Sequence, residues 1–186
     1  MNFMITRNTN IKGVKLISFD KNIDDRGFFV ELYKKELFIK LNILDTFIQE
    51  NFSRSKKNVL RGLHYTINNP QSQIVTLLSG HIFDVLVDLR RDSTTFGKWE
   101  GFNIDANKNN YQLYMPHGVA HGFCVLSAYA ELHYMVSEYY NKNDEFGIVW
   151  NDPTININWP LKNPIISERD KGHPKLLDIN KNKLPQ

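Results

Sequence analysis

Short β-like runs, each closed by a turn sequence, constrain this fold more than any other feature of the chain. Apolar and β-branched residues recur over six short segments after residue 70, and the breaks between them carry turn chemistry such as Ser79-Gly80 and Pro116-His117-Gly118. Regularly spaced short strands with such turns favour a β-sandwich or barrel over alternating βα units. The predicted strands are 74–78, 81–89, 99–104, 111–115, 123–126 and 131–139.

The first half of the chain continues the β pattern and adds one helix candidate. Strands are predicted at 13–19, 28–32 and 47–53, with a turn at 24–27. Apolar residues at helical intervals predict a helix over 34–44. The sequence contains neither a linker nor an internal repeat, so residues 1–186 are expected to form one domain.

Composition and charge exclude several classes of protein. The 186 residues are 41% hydrophobic and 12% aromatic, which is typical of a globular chain with a substantial core. The 23 basic and 20 acidic residues give a net charge of only +3 and are scattered, so no nucleic-acid partner is expected. The N-terminus lacks the apolar region of a signal peptide, and no apolar run could span a bilayer. We therefore expect a cytoplasmic protein without a membrane partner.

The stretch Val59 to Tyr65 carries the strongest candidate chemistry. Arg61 offers a fixed guanidinium, which suits a phosphate, and His64 offers an imidazole that exchanges protons near neutral pH. Together they suit an enzyme that acts on a phosphate-bearing small molecule. The plain alternative is a histidine that only packs or forms a structural hydrogen bond in an apolar strand. Cys124, the only cysteine, lies in an apolar run and is expected to be a buried, inert thiol.

Two further residues are candidates for proton transfer or its support. Period-two alternation over 130–136 places Tyr134 on the same strand face as Leu132, so its phenol is expected inside the barrel. There it is either a proton donor or a core tyrosine with its hydroxyl satisfied at the rim. A carboxylate such as Asp170 would orient the imidazole if the fold brought the two together, although its default interpretation is a surface charge.

A metal site is not expected. The spacing of His117 and His121 converges only on a helix, and Pro116 and Gly118 oppose a helix there. A metal site in a small barrel would need a His-x-His pair, which His64 lacks.

Taken together, these segments resemble the dTDP-4-dehydrorhamnose 3,5-epimerase family. The similarity covers nearly the whole chain in the right order, so it is far more specific than any single motif. The segments that carry it are DRGFFVE (25–31), QENFS (49–53), VLRGLHY (59–65), FDVLVDLR (83–90), TFGKW (95–99), AHGF (120–123) and DP (152–153).

The resemblance implies an all-β, cupin-like β jelly roll that acts as a homodimer on a nucleotide-diphospho-4-keto-6-deoxy sugar, without metal or cofactor. By position it implies that His64 is the base, Asp170 its carboxylate partner and Tyr134 the acid. Arg61 and Arg26 are implied near the diphosphate. The other implied binding residues are Phe29, Glu31, Gln49 and Asn51 at the nucleotide, and Asp84, His121 and Tyr140 elsewhere in the pocket.

One departure from the family pattern concerns the sugar ketone. Gln73 stands where the family usually carries a lysine, and its neutral amide can donate a hydrogen bond but supplies no charge. A ketone at C4 acidifies the hydrogens at C3 and C5, so one base and one acid on opposite walls suffice to invert both centres. The alternatives are a single-centre epimerase, a 3,4-ketoisomerase, a sugar-binding module without catalysis, and a metal-dependent cupin enzyme.

Overall fold

The computed structural model describes residues 4–186, and strands dominate it. It also has three short 3-10 turns, at Lys142–Asp144, Leu176–Asp178 and Lys181–Lys183. The elements are β1 (Ile5–Asn8), β2 (Lys15–Ser18), β3 (Asn22–Asp24), β4 (Gly27–Phe29), α1 (Lys35–Lys40), β5 (Gln49–Lys56), β6 (Leu60–Thr66), β7 (Gln73–Ser79), β8 (His81–Asp88), β9 (Trp99–Asp105), β10 (Tyr111–Met115), β11 (Val119–Val125), β12 (Tyr129–Val136), β13 (Glu145–Gly147) and α2 (Glu168–Lys171).

Two antiparallel sheets pack face to face and confirm the predicted β jelly roll. The six-stranded sheet has the order β1-β2-β10-β7-β12-β5, and the five-stranded sheet has the order β13-β6-β11-β8-β9. Between them lies an apolar cluster that includes Val75, Leu86, Phe123 and Leu132. Each sheet therefore buries one face against the other, as in a sandwich.

The outer faces of both sheets are covered as well. The C-terminal segment packs Ile155, Leu176 and Leu184 onto the five-stranded sheet, while α1 packs Phe38 onto the six-stranded sheet. Every residue of β11 is consequently buried. A strand covered on both faces loses the apolar-polar alternation that marks a half-buried strand. This is why the sequence predicted only 123–126 of a strand that begins at Val119.

The predicted helix over 34–44 is shorter in the structure, where α1 spans Lys35–Lys40. Asn42 adopts a left-handed conformation with φ of 57°. The amide of Ile43 then donates to the carbonyl of Phe38, and the amide of Asn42 to that of Ile39. This is a Schellman motif with asparagine in the place usually taken by glycine, and it ends the helix.

The predicted strand over 28–32 shrinks to β4, which pairs only with β3 and stands apart from both sheets. This hairpin exposes large apolar side chains: Ile23 is 78% exposed, Phe28 61% and Phe29 70%. β1 was not predicted, and it pairs with β2 at the edge of the six-stranded sheet. No helix in residues 4–186 is both long and apolar enough to cross a bilayer.

The end of β8 is fixed by the buried carboxylate of Asp88, which is fully enclosed. It accepts hydrogen bonds from the Arg90 guanidinium at 2.8 Å, the Ser93 hydroxyl at 2.6 Å and the Thr95 hydroxyl at 2.5 Å. Burial alone would raise the pKa of Asp88, but these bonds outweigh it and lower the pKa below its usual value. The charged form therefore stabilises the folded state.

Replacing this carboxylate tests its contribution. Asp88→Asn should lower the free energy of unfolding at neutral pH by about 2–4 kcal/mol, because it leaves Arg90 without its charged partner. The stabilisation is complete above about pH 4, the unfolded value, and is lost as the pH falls towards the folded pKa. Urea unfolding at pH 7 and pH 3 should therefore show a smaller difference between the two proteins at pH 3. An equal difference at both pH values would contradict this account.

Candidate active site

A bulge in β6 places Arg61 and His64 on the same side of their strand. His121 pairs with His64 and Phe123 pairs with Arg61. The two paired residues are three positions apart on β6 but only two apart on β11, so β6 contains one extra residue. The extra residue in β6 reverses the normal alternation, which would otherwise send residues three apart to opposite faces. Both side chains consequently line one open cleft of about 250 Å³.

Gly62 allows this arrangement because the two strands approach closely at that point. Its φ is 114°, and a Cβ atom there would lie 2.5 Å from Cα of Gly122 and 2.6 Å from the carbonyl oxygen of His121. No other residue type fits such a contact without displacing β11. The glycine between the cation and the imidazole is therefore required by the packing of β6 against β11.

The structure brings Asp170 to His64, although 106 positions separate them in the chain. The Oδ1 atom of Asp170 lies 2.9 Å from Nε2 of His64, and Oδ2 accepts the amide of Gly62 at 3.2 Å. Asp170 lies in α2, which Ser167 caps, and its side chain is only 3% exposed. Burial by itself would raise the pKa of Asp170, but the nearby imidazoles of His173 and His64 and the hydrogen bond from the Gly62 amide lower it well below the usual range. The carboxylate is therefore charged and oriented towards the imidazole.

Tyr134 faces the same cleft from the opposite sheet. It lies on β12 beside Asn51 of β5 and Val75 of β7, and its ring packs against the core between the sheets. Its hydroxyl has one contact among the described residues, at 3.4 Å from Oγ of Ser53. Burial raises the pKa of the Tyr134 phenol well above its usual value, although the Ser53 contact opposes this shift. The phenol therefore keeps its proton at neutral pH.

Five other predicted residues have side chains in or at the rim of the cleft. Asn51, Gln73, His121 and Tyr140 line it, and Gln49 lies beside them. The Gln49 side chain donates to Asn51 at 2.8 Å and accepts the amide of Tyr140 at 3.0 Å. The Gln73 amide donates to the Gln71 side chain at 3.0 Å. The cleft thus carries amide groups at the end where Tyr140 stands.

Four predicted residues do not line the cleft of their own chain. Asp84 is fully buried behind His121, whose Nε2 atom lies 2.9 Å from its carboxylate. It can therefore orient His121 but cannot contact a ligand in the cleft. Arg26, Phe29 and Glu31 lie in or just after the exposed β3–β4 hairpin, where Arg26 pairs with Asp24.

Two charged residues of the cleft, Glu145 and Arg169, were not predicted from the sequence. Glu145 lies 3.8 Å from Nδ1 of His64, accepts a hydrogen bond from the Tyr140 hydroxyl at 3.1 Å and pairs with Arg169. Arg169 stands next to Asp170 in the sequence, so a closer look at that segment could have found it. Glu145 lies in a three-residue strand without any pattern that would mark it.

The described residues include one group that could offer three metal ligands. Ring nitrogens of His64 and His173 and an oxygen of Asp170 lie within 4.8 Å of one another. However, the Arg169 guanidinium lies 3.3 Å from Asp170 and 3.2 Å from Nε2 of His64. A fixed positive charge there opposes binding of a second cation, so the group fits a hydrogen-bonded network better than a metal centre.

The two histidines at positions 117 and 121 lie in different surroundings. His121 is buried on β11, whereas His117 is exposed and lines a second cavity of about 550 Å³ near the C-terminus. Apart from His117, that cavity contains no residue singled out in the sequence. Cys124 is buried as predicted, and burial raises the pKa of its thiol to about 12, so it is not a nucleophile.

The jelly roll and its cleft are typical of a protein that binds a small molecule. The cleft places an imidazole, His64, on one wall and a phenol, Tyr134, on the other, so proton transfer from both sides of a bound molecule is chemically possible. The sequence profile of dTDP-4-dehydrorhamnose 3,5-epimerase matches residues 8–178. The chain therefore belongs to the dTDP-4-dehydrorhamnose 3,5-epimerase family, a family of isomerases, as its motifs predicted.

Individual relatives agree with this assignment. The chain is 49% identical over 164 residues to the dTDP-4-dehydrorhamnose 3,5-epimerase of Neisseria gonorrhoeae, covering 87% of this chain but only about half, 49%, of that longer relative. It is 44% identical to the Salmonella typhimurium enzyme of the same name, covering 93% and 96% of the two chains. A dTDP-6-deoxy-D-glucose-3,5-epimerase from Legionella pneumophila, solved with dTDP-4-keto-L-rhamnose, superposes with a TM-score of 0.95 at 41% identity, covering 99% and 98%.

The weak contact of the Tyr134 hydroxyl predicts that this group contributes little to stability. Tyr134→Phe should change the free energy of unfolding by less than about 1 kcal/mol, because one 3.4 Å contact is lost. Tyr114→Phe is the matched control, since the Tyr114 hydroxyl donates to Asp45 at 2.7 Å and should cost more. Equal losses in urea unfolding would assign the Tyr134 hydroxyl a structural role.

Proposed function

We propose that this protein is an epimerase of a dTDP-linked 4-keto-6-deoxy sugar that inverts C3 and C5. The observation that carries the proposal is the position of His64 and Tyr134 on opposing sheets of one cleft. Inversion requires that a proton leaves one face of a carbon and another arrives on the opposite face. Family membership and the dTDP-sugar bound to the Legionella relative support the choice of substrate.

In the proposed mechanism, His64 abstracts the proton next to the C4 ketone. Its Nε2 atom is held by Asp170, so Nδ1 is the nitrogen left to accept the proton, and the Asp170 carboxylate stabilises the imidazolium that forms. The electrons delocalise into the C4 carbonyl as an enolate. Tyr134 then donates its phenolic proton from the other wall. Each such transfer by a positioned group contributes on the order of 10²–10⁴ in rate.

The remaining cleft residues suit the rest of the substrate. Arg61 and Arg169 supply fixed positive charge, as a diphosphate requires. Tyr140 offers an aromatic ring in the same cleft as the Asn51 amide, which suits a nucleobase. The Gln73 amide and His121, backed by Asp84, are the cleft donors that we assign to the enolate oxygen. Such donors supply a large share of the stabilisation of a developing oxyanion.

Gln73 keeps one alternative open within the family. Without a lysine charge at this position, the enolate receives less stabilisation, and the enzyme could be limited to one centre. A single-centre C3 epimerase is therefore the second candidate. The two differ in how many sugar positions exchange with solvent.

Proton NMR in deuterated water tests the proposal directly. The purified protein mixed with dTDP-4-keto-6-deoxyglucose, without added metal, should replace hydrogen by deuterium at both C3 and C5. His64→Asn should slow exchange by about 10²-fold or more, since the base is removed. Tyr134→Phe should block inversion while leaving some exchange. His117→Asn, outside the cleft, is the matched control and should exchange at the wild-type rate.

Each other outcome has its own meaning. Label at C3 alone would favour the single-centre epimerase. Wild-type exchange rates in both His64→Asn and Tyr134→Phe would remove these residues from the mechanism. Binding of dTDP-sugar without any exchange would point to a sugar-binding module.

A homodimer and a cytoplasmic location stay predictions from the sequence, and the dimer gains support from the hairpin. Three predicted binding residues, Arg26, Phe29 and Glu31, lie outside the cleft of their own chain, next to the exposed Ile23 and Phe28. An exposed apolar hairpin is typical of a contact with another subunit. In the proposed dimer, the hairpin of one subunit completes the cleft of its partner.

Subunit complementation tests this arrangement. Arg26→Ala and His64→Asn should each be nearly inactive alone, because each lacks one part of every site. If Arg26 acts in the partner's cleft, a refolded one-to-one mixture should recover about a quarter of wild-type activity, since half of the dimers then hold one intact site. No recovery, with mixed dimers confirmed by sedimentation, would place Arg26 in its own subunit's site. A monomeric wild-type protein would refute the dimer.

A further inference from the structure

His173 lies directly behind the His64–Asp170 pair without belonging to the cleft. It follows α2, and the neighbouring carbonyl of Pro174 accepts the amide of Val149 at 3.0 Å, which fixes this segment against the five-stranded sheet. Its side chain is 11% exposed. Its ring is edge-on to the ring of His64, with centroids 5.6 Å apart.

One ring nitrogen of His173 lies close to the same carboxylate. Nε2 of His173 lies 3.7 Å from Oδ1 of Asp170, the atom that also contacts His64. That nitrogen is buried and has no hydrogen-bond partner within residues 4–186. Buried polar atoms are nearly always satisfied, so an exception of this kind calls for an explanation. A shortening by about 0.5–1 Å would turn the contact into a charge-assisted hydrogen bond.

Gly147 makes room for this imidazole. A Cβ atom on Gly147 would lie 2.3 Å from Nε2 of His173, and Gly147 is the residue of β13 that pairs with His64. The space that His173 occupies is therefore left open by the residue of β13 that pairs with His64, the proposed base. A side chain at position 147 would displace the ring from both His64 and Asp170.

We propose that His173 is a positioning residue, which holds the Asp170 carboxylate and the His64 ring in the orientation needed for proton abstraction. The inference rests on the proposed role of His64 as the base. Gly62 fixes Oδ2 of Asp170, whereas Oδ1 faces His64, His173 and Arg169. Arg169 is half exposed and can move, so His173 is the enclosed donor that limits rotation of the carboxylate. The edge-on contact limits rotation of the His64 ring in the same way.

Two substitutions separate hydrogen bonding from packing. His173→Phe keeps a ring over Gly147 but removes the donor, and should lower kcat about 5- to 50-fold while KM changes less than about twofold, because only the chemical step needs the orientation. His173→Gln restores a donor and should recover most of this loss. His117→Phe, an exposed histidine outside the cleft, is the control and should leave kcat unchanged.

A double-mutant cycle tests whether His173 acts through Asp170. In an Asp170→Asn background, His173→Phe should change kcat by less than about twofold, since the two residues act as one unit. An additive loss would show that His173 works by another route. Unchanged kcat in both single variants at position 173 would overturn the inference, as would a loss of kcat matched by a loss of thermal stability and not rescued by glutamine.

Proton NMR gives a readout that does not depend on turnover. The ring N–H of His64 that bonds Asp170 should give a downfield resonance in the wild type, absent from His64→Asn. In His173→Phe this resonance should broaden or shift, and in His173→Gln it should return. If the wild-type protein shows no exchange with substrate, the proposed function fails, yet an unaltered resonance in His173→Phe would still overturn the positioning role.

Discussion

The buried carboxylate of Asp170 is the interaction on which the site depends. One oxygen holds the imidazole of His64 and the other holds the amide of Gly62, so a single side chain ties the short helix α2 to strand β6. A buried charge is tolerated only when it is paired and hydrogen-bonded. Because its partners lie on a strand of the central sheet, the carboxylate fixes the C-terminal segment and the candidate base together.

Close approach of β6 and β11 is the second constraint. Gly62 lies against Gly122, and the bulge beside it aims both Arg61 and His64 into the cleft. The jelly roll then supplies the opposing wall, where Tyr134 stands on β12. The proposed base and the proposed acid are thus separated by the space between two sheets, on opposite walls of one cleft. This geometry suits epimerisation better than simple binding.

Much of the fold could be predicted from the sequence, because short strands leave local signals. The predicted bounds of β10, Tyr111–Met115, are correct to the residue. The predicted bounds of β7, β8 and β9 are correct to within one or two residues. Errors occur where tertiary contacts override local pattern. The strand Val119–Val125 is covered on both faces and shows no apolar-polar alternation. Asn42 ends α1 through a left-handed conformation that the neighbouring residues do not predict.

The sequence by itself determined the types of chemical group and their local spacing. It set a cation three residues before an imidazole with a glycine between, a tyrosine on an inward strand face, and motifs that identify the family. Only the tertiary structure decided which distant residues meet. Asp170 reaches His64, Glu145 and Arg169 enter the cleft, and the hairpin that carries Phe29 stands away from it. Local patterns encode the period of a strand, whereas the pairing of remote segments follows from the packing of the whole core, which no short window of sequence contains.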